Sequence, residues 1–333
     1  MKQITLTCKV ITPLFMGGTE QQAELRTQSF NGVFRYWFRL LGGSFEDEKR
    51  LFGWGGEEAK KGIVNVRIEN KRFQTFQFQR KDSGYDYLGF SLALNKRIGV
   101  KEDEGFKVSF LFHPTSTEDD IKKFLCVVWC AFYLGNFGSR SRRGFGSITI
   151  ENIDGDVPQN FDLKFKIDQN TKDWLKNQLQ YIKSLNYWRA RNDIPYIFEN
   201  LEIYQFSQPL SDYIQLLNKM GEEYKNFRRT LKGDMWEKRI WFGLPIMSQQ
   251  VFPIFDHEQG RRASLLAFKI IKSDNNFEGF ILLFKPNDAH NFKFLPDGAR
   301  IKFSNQPISI NPNWWQVLND FINFIKDKNK IYP

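Results

Sequence analysis

The chain has 333 residues, enough for two domains of ordinary size, each with its own core. Its 48 Lys and Arg against 38 Asp and Glu give a net charge of +10, which favours a polyanionic partner over an acidic metabolite and leaves RNA, DNA and anionic lipid open. Aromatic residues make up 16% of the chain and include 34 Phe, which excludes a basic disordered tail and points to packed domains.

In chain order, residues 1–12 alternate, with Ile4, Leu6, Cys8 and Val10 on one face of a strand that ends at Pro13. This start has no apolar core of a signal peptide, so a cytoplasmic location with reduced thiols is expected. After "PLFMGG", the spacing of "VFRYWFRLLGG" predicts a helix capped by Ser29 or Asn31 and stopped at Gly42-Gly43. Arg35 and Arg39, four apart, then share one of its faces. A short helix over "DEKRLFGW" leads to strands in "GIVNVRIEN" and "FKVSFLFHP". Thr117 caps a helix over "TEDDIKKFLCVVWCAFYLG", whose first-turn acids suit the helix dipole and whose interior must be buried nearly all round. Its longest apolar run is well short of the roughly 18 residues a membrane span needs. "GFGSITIENI" supplies the last strand of a β-α-β-β-α-β order, the split βαβ or ferredoxin-like pattern.

Polar "DGDVPQNFDLKFKIDQN" marks a domain boundary near residue 156. Helices are predicted at about 171–189 and 211–231, the second carrying Tyr213, Leu217, Met220, Tyr224, Phe227 and Leu231 at spacings of three and four. Strands follow in "RRASLLAFKIIKS", "FEGFILLFKP" and "ARIKFSNQPISI", and a closing helix starts at Asn311-Pro312. A second α+β unit is the simplest reading.

Three basic stretches could hold a phosphate chain. In "NFGSRSRRGFGSI", Arg140, Arg142 and Arg143 precede Gly144 and Gly146; glycines let backbone N–H groups approach a phosphate while guanidinium groups donate in pairs. The plain alternative is a solvated helix-to-strand connection. In "FNGVFRYWFR", unpaired N–H groups from Asn31 and Gly32 to Val33, next to Arg35 and Arg39, would make a helix-terminus anion site, against an ordinary amphipathic helix with its arginines in water. Arg261 and Arg262 lie before a strand, where paired arginines are usually just solvated.

Catalytic constellations are thin. Of three His, His113 stands before Pro114, His290 lies in "DAHNF", and His257, between Asp256 and Glu258, is the best acid–base candidate. Cys126 and Cys130 read as buried thiols and Asp119-Asp120 as first-turn dipole compensation, so neither a metal nor a cofactor is expected.

Taken together, "TPLFMGG", "LRTQSFNGVFRYWFRLLGG", "LGNFGSRSRRGFGSI" and "FGLPI" with "RRASLLAFKI" resemble the RAMP superfamily of CRISPR proteins, and more narrowly the first RAMP subunit of Cmr-type (type III-B) effectors. The blocks cover about a quarter of the chain; Leu265 departs from a Pro common in the family. The resemblance implies two ferredoxin-like (RRM-like) domains with helical insertions, over 1–155 and 156–333. It implies a non-catalytic subunit that holds the 3′ part of the guide RNA (crRNA) and aids capture of single-stranded target RNA beside other RAMP subunits, away from any membrane. Asn31, Gly32, Arg35 and Arg39 would form the phosphate site, with the arginine-glycine loop as its neighbour. The alternative is a metal-independent endoribonuclease that processes precursor guide RNA, an activity also found on RAMP folds.

Overall fold

Strict alternation makes the first element. In the computed structural model, which describes residues 1–18, 22–56, 59–69, 72–191, 195–231, 238–239, 241–243, 264–285, 301–303, 306–308 and 315–333, β1 (Lys2–Val10) turns Ile4, Leu6, Cys8 and Val10 fully inward. The helix α1 (Thr27–Leu40) starts earlier than its capping residues predict, with Arg26 at the N-cap and no side-chain cap bond. Beginning at Thr27 puts Phe30, Phe34, Trp37, Phe38 and Leu41 on one buried stripe, and that packing outweighs a missing cap. Its end is as predicted: Gly42, at φ +86°, donates to the Arg39 carbonyl and Gly43 to that of Phe38.

Ser44 caps α2 (Phe45–Phe52), which leads into the short hairpin β2 (Gly53–Trp54) and β3 (Lys60–Lys61), then β4 (Val64–Ile68). An inserted segment follows, with β5 (Thr75–Gln77), α3 (Ser83–Leu88), α4 (Phe90–Leu94) and β6 (Ile98–Val100). After β7 (Gly105–Phe112), the helix α5 (Glu118–Tyr133) carries the predicted cap: the Thr117 hydroxyl accepts from the Asp120 N–H and Asp120 answers at the Thr117 N–H. Every residue from Phe124 to Tyr133 is buried. With β8 (Ile148–Gly155) the first antiparallel sheet is complete, in the order β4-β7-β1-β8. Phe34 of α1 and Phe124 of α5 both meet Phe110 of β7, at centroid distances of 5.9 and 4.9 Å, so the two helices share one core against the sheet.

The second half contains α6 (Thr171–Ser184), α7 (Ile197–Asn200), β9 (Leu201–Leu210), α8 (Tyr213–Thr230), β10 (Leu266–Ser273) and β11 (Asn276–Phe284). A hairpin of β12 (Ile301–Phe303) and β13 (Gln306–Ile308), then α9 (Val317–Phe324) and β14 (Lys328–Tyr332), complete it. The helix α6 is shorter than predicted, and the Asn311-Pro312 start of the closing helix lies outside the described residues. The predicted stripe of α8, from Tyr213 to Phe227, is buried. Its sheet runs β10-β11-β9-β14, again antiparallel, so the class is α+β. The two halves are closely joined. Gly221 of α8 touches the backbone of Gly84 in α3, and the Asn218 side-chain carbonyl accepts from the N–H groups of Gly84 and Tyr85 at 2.8 and 3.1 Å.

Candidate nucleic-acid interface

The arginine-glycine segment is a built turn and not a loose connection. Gly138, Gly144 and Gly146 hold φ near +79°, +82° and +74°, where only glycine is at ease. A Cβ on Gly146 would run into the Phe137 carbonyl. The Thr12 hydroxyl donates to the Gly144 carbonyl at 2.8 Å and accepts the Ser147 N–H at 2.9 Å. Asn136 donates to the carbonyls of Ser141 and Phe268 at 2.5 and 2.8 Å and accepts from the Ser147 hydroxyl at 2.6 Å. The solvated-connection reading therefore fails, because the polar groups of the turn are satisfied internally.

Its arginines point in different directions. Arg143 is directed at the second half: it donates to the Phe242 carbonyl and Tyr224 hydroxyl at 2.8 and 2.9 Å and to the carbonyls of Arg142 and Leu266 at 3.0 and 3.3 Å, and lies 4.8 Å from the Tyr224 ring centroid. That is a structural role, and it corrects the expectation that Arg143 faces phosphate. Arg142 donates to the Ser264 carbonyl and to the Tyr36 hydroxyl, both at 2.6 Å, along the edge of α1. Arg140, at φ +60°, donates to the Ser91 hydroxyl of α4 at 2.8 Å. Burial draws the pKa of Arg140 and Arg143 down.

A buried lysine makes the reverse crossing. From β10, Lys269 donates to the carbonyls of Phe132 and Gly135 at 2.6 and 2.8 Å, at the negative end of α5, and is 1% exposed. Burial pushes its pKa down to about 7. Neither the periodicity nor the charge of "LAFKII" distinguishes this lysine from a surface one.

On α1 the helix-terminus reading is also corrected. Because the helix begins at Thr27, Asn31 and Gly32 lie in its second turn, where N–H groups bond within the helix. Arg35 and Arg39 do share a face, but what they hold is Glu48 of α2, itself 2% exposed. Arg39 forks onto both carboxylate oxygens at 2.8 and 2.6 Å; Arg35 reaches one at 3.3 Å and the Phe52 and Gly53 carbonyls at 2.8 and 2.6 Å. Arg35 is thus a brace between α1 and α2, whereas the Arg39 side chain remains 49% exposed.

Two adjoining clefts border α1 and share Ser29 and Val33. One, of about 430 Å³, lies between Met16, Gly17, Gly138, Arg97 and Ile98; the other, of about 270 Å³, lies between Gly32, Tyr36, Asn136, Arg142 and Ala267. Apart from its chain neighbours and its own helix backbone, no atom lies within 4 Å of where a Cβ on Gly32 would stand, so this glycine leaves the floor open. Exposed Arg26 donates to the Gly17 carbonyl at 3.5 Å, at the rim. Arg26 and Arg97 escape a search for arginine-glycine clusters, since neither has a second arginine nearby in sequence; the fold puts Arg97 in the cleft that adjoins that of Arg142. The arrangement is a groove with apolar and glycine floor and guanidinium edges, able to receive a polyanionic strand.

Arg261, Arg262, His257 and His290 lie outside the described residues. His113 is exposed, its Nδ1 2.9 Å from the Thr115 hydroxyl. Cys126 and Cys130 are buried free thiols whose pKa burial pushes up, and Asp120 pairs with Arg50 at 2.8 Å. Among the described residues no group of three or more His, Cys, Asp or Glu could hold a metal ion, and no helix is long and apolar enough to cross a membrane.

The RAMP superfamily pattern matches residues 7–149, from β1 into β8. The CRISPR system Cmr subunit Cmr1-1 of Pyrococcus furiosus is 27% identical over 294 residues, covering 82% of this chain and 83% of that protein, and Cmr1-2 of the same organism is 29% identical over 45% of this chain and 96% of its own. In structure the chain is similar to apo Cmr1 from Pyrococcus furiosus, with a TM-score of 0.68 at 21% identity over 100% of this chain and 99% of that one. A chain of the type III-B Cmr-beta complex bound to cognate target RNA superposes with a TM-score of 0.61 at 14% identity, over 98% of this chain and 100% of that one. The chain thus resembles the RAMP superfamily over residues 7–149, and its similarity to Cmr1 subunits extends over most of its length.

Proposed function

We propose that this chain is an RNA-binding subunit, without catalytic activity of its own, of a cytoplasmic type III-B CRISPR effector. In this reading it holds the 3′ part of the guide RNA and helps capture single-stranded target RNA beside other RAMP subunits. The observation that carries the reading is the groove along α1, edged by Arg26, Arg97 and Arg142 and floored by Gly32. Its guanidinium groups suit phosphates spaced along a strand, and its open floor suits a chain that passes over it. Arg39 and Arg140 extend the contact in this reading, Asn31 lies on the same helix, and Gly144 and Gly146 shape the turn that presents Arg142; Arg261 and Arg262 are proposed as phosphate contacts from their sequence alone. The names of the similar proteins, Cmr1 subunits and a complex bound to target RNA, agree with this role.

We further read both halves as ferredoxin-like, over 1–155 and 156–333. Numbered by chain order within each half, β8-β1-β7-β4 and β14-β9-β11-β10 are both 4-1-3-2, with a helix after the first and third strands, and this supports the reading. The test is incubation with labelled single-stranded RNA in EDTA. Retarded, intact RNA that Arg97→Ala and Arg142→Ala weaken is the expected result; specific cutting would make the protein the endoribonuclease of the alternative reading.

A further inference from the structure

Two aromatic rings stand in water on α2 and the hairpin that follows it. Phe45 opens α2 and is 46% exposed; Trp54 ends β2 and is 41% exposed. Their centroids are 5.2 Å apart at 83°, edge to face, so that each holds the other's orientation. The Lys49 ammonium sits to one side of both rings, 4.3 Å from the Phe45 centroid and 5.6 Å from that of Trp54. Gly56 completes the setting: a Cβ there would strike the indole nitrogen edge, so the turn after β2 must be glycine for the ring to lie where it does. Lys60 is the direct cross-strand partner of Trp54 and exposed, which puts its side chain on the same side of the hairpin.

Two exposed rings held against each other form a small apolar patch, unlike a ring exposed singly, and the charges around the pair narrow what it can receive. The carboxylates of α2 are already matched: Glu48 by Arg35 and Arg39, Asp47 by Lys123 at 2.9 Å, and Glu46 by Lys49 at 3.4 Å in an exposed, screened contact. Lys60 and Lys61 are exposed on the hairpin, whose sequence also carries Glu57 and Glu58, so the cations that bear on the rings are the ones next to them, Lys49 and Lys60. A π-face with cations at its margin fits an unpaired base attached to its phosphate; a protein partner would need acidic groups placed around an aromatic pocket.

We propose that Phe45 and Trp54 form a stacking platform for an unpaired base of single-stranded RNA, with Lys49 and Lys60 beside its phosphate. The proposal rests on the RNA-binding reading above and adds a second contact, on α2 and the β2–β3 hairpin. Base stacking on an aromatic side chain contributes enough for its loss to weaken binding about tenfold.

The test uses the full chain and a fluorescent, 4-thiouridine-substituted single-stranded RNA, with binding by anisotropy and cross-link positions by mass spectrometry. Trp54→Ala should weaken binding about tenfold with an unchanged melting midpoint, Trp54→Phe should restore most of it, and cross-links on the unaltered protein should fall on Phe45 or Trp54. Lys60→Glu, which leaves the aromatic packing intact, should weaken binding even if Trp54→Ala proves unstable. Unchanged affinity in Trp54→Ala and Lys60→Glu, with cross-links confined to the clefts of α1, would overturn the platform while leaving RNA binding in place. Loss of assembly with partner subunits at unchanged RNA affinity would make the rings a protein contact and overturn it equally. No RNA binding by the unaltered chain at low salt would remove the broader reading and the platform with it.

Discussion

Arg143 and Arg97 show how little a residue's charge says about its use. Arg143 stands in the richest basic cluster of the chain, yet its donors meet two carbonyls and a hydroxyl of the second half, whereas Arg97, outside that cluster, edges a cleft. Arg143→Ala should cost about 2 kcal/mol by leaving several acceptors unpaired, visible as a lower melting midpoint. Arg97→Ala should leave that midpoint unchanged and weaken RNA binding. Equal, negligible effects of both on stability would return Arg143 to the solvated loop. Lys269 offers a prediction of another kind. Its folded pKa near 7 lies below the ordinary lysine value of about 10.4, so between those pH values the unfolded chain holds a proton that the folded one lacks. This residue therefore makes stability rise with pH over that window, by at most about 1.4 kcal/mol per unit. Denaturant unfolding at pH 7, 8 and 9 should show the rise in the unaltered protein and a flatter profile in Lys269→Met. The composition identifies a basic protein; which cations face inward is decided by contacts more than a hundred residues apart, as from Lys269 to Phe132.

At the level of elements, glycine separates shape from space. Gly146 sits at positive φ with the Phe137 carbonyl where a side chain would begin, and Gly32 sits mid-helix with nothing nearby. Gly146→Ala should destabilise the turn and lower the melting midpoint sharply, while Gly32→Ala should raise stability by about 0.5–1 kcal/mol through helix propensity. Thermal melts of the two variants check both; a harmless Gly146→Ala would mean that the turn is not held as described. The elements that alternate or repeat clearly, β1, α5, β7 and α8, are legible in the sequence because each has one buried face or a strong cap. β9 is not, since Leu201, Glu202 and Ile203 are all buried and no period of two survives in a strand paired on both sides. β14, "KNKIY", is a polar edge strand and carries no apolar signal. The start of α1 is missed because its caps are read from Ser29 and Asn31, while the position of Phe30 in the core decides it.

For the whole molecule, the order β-α-β-β-α-β of the first half is readable from pattern, and the resemblance to RAMP proteins comes from blocks of that half together with "FGLPI" and "RRASLLAFKI" of the second. What pattern cannot supply is the joint between the halves: Arg143 crossing one way, Lys269 the other, and Gly84 against Gly221. That joint fixes Arg142 at the edge of the α1 groove, so the geometry of the proposed RNA site belongs to both halves together. The most direct measurement is the affinity of the full chain for labelled single-stranded RNA as a function of salt. With about four to six phosphates neutralised, log affinity should fall against log salt with a slope of roughly 0.7 per phosphate, and the RNA should be recovered uncut. A flat response between low and physiological salt would contradict the account.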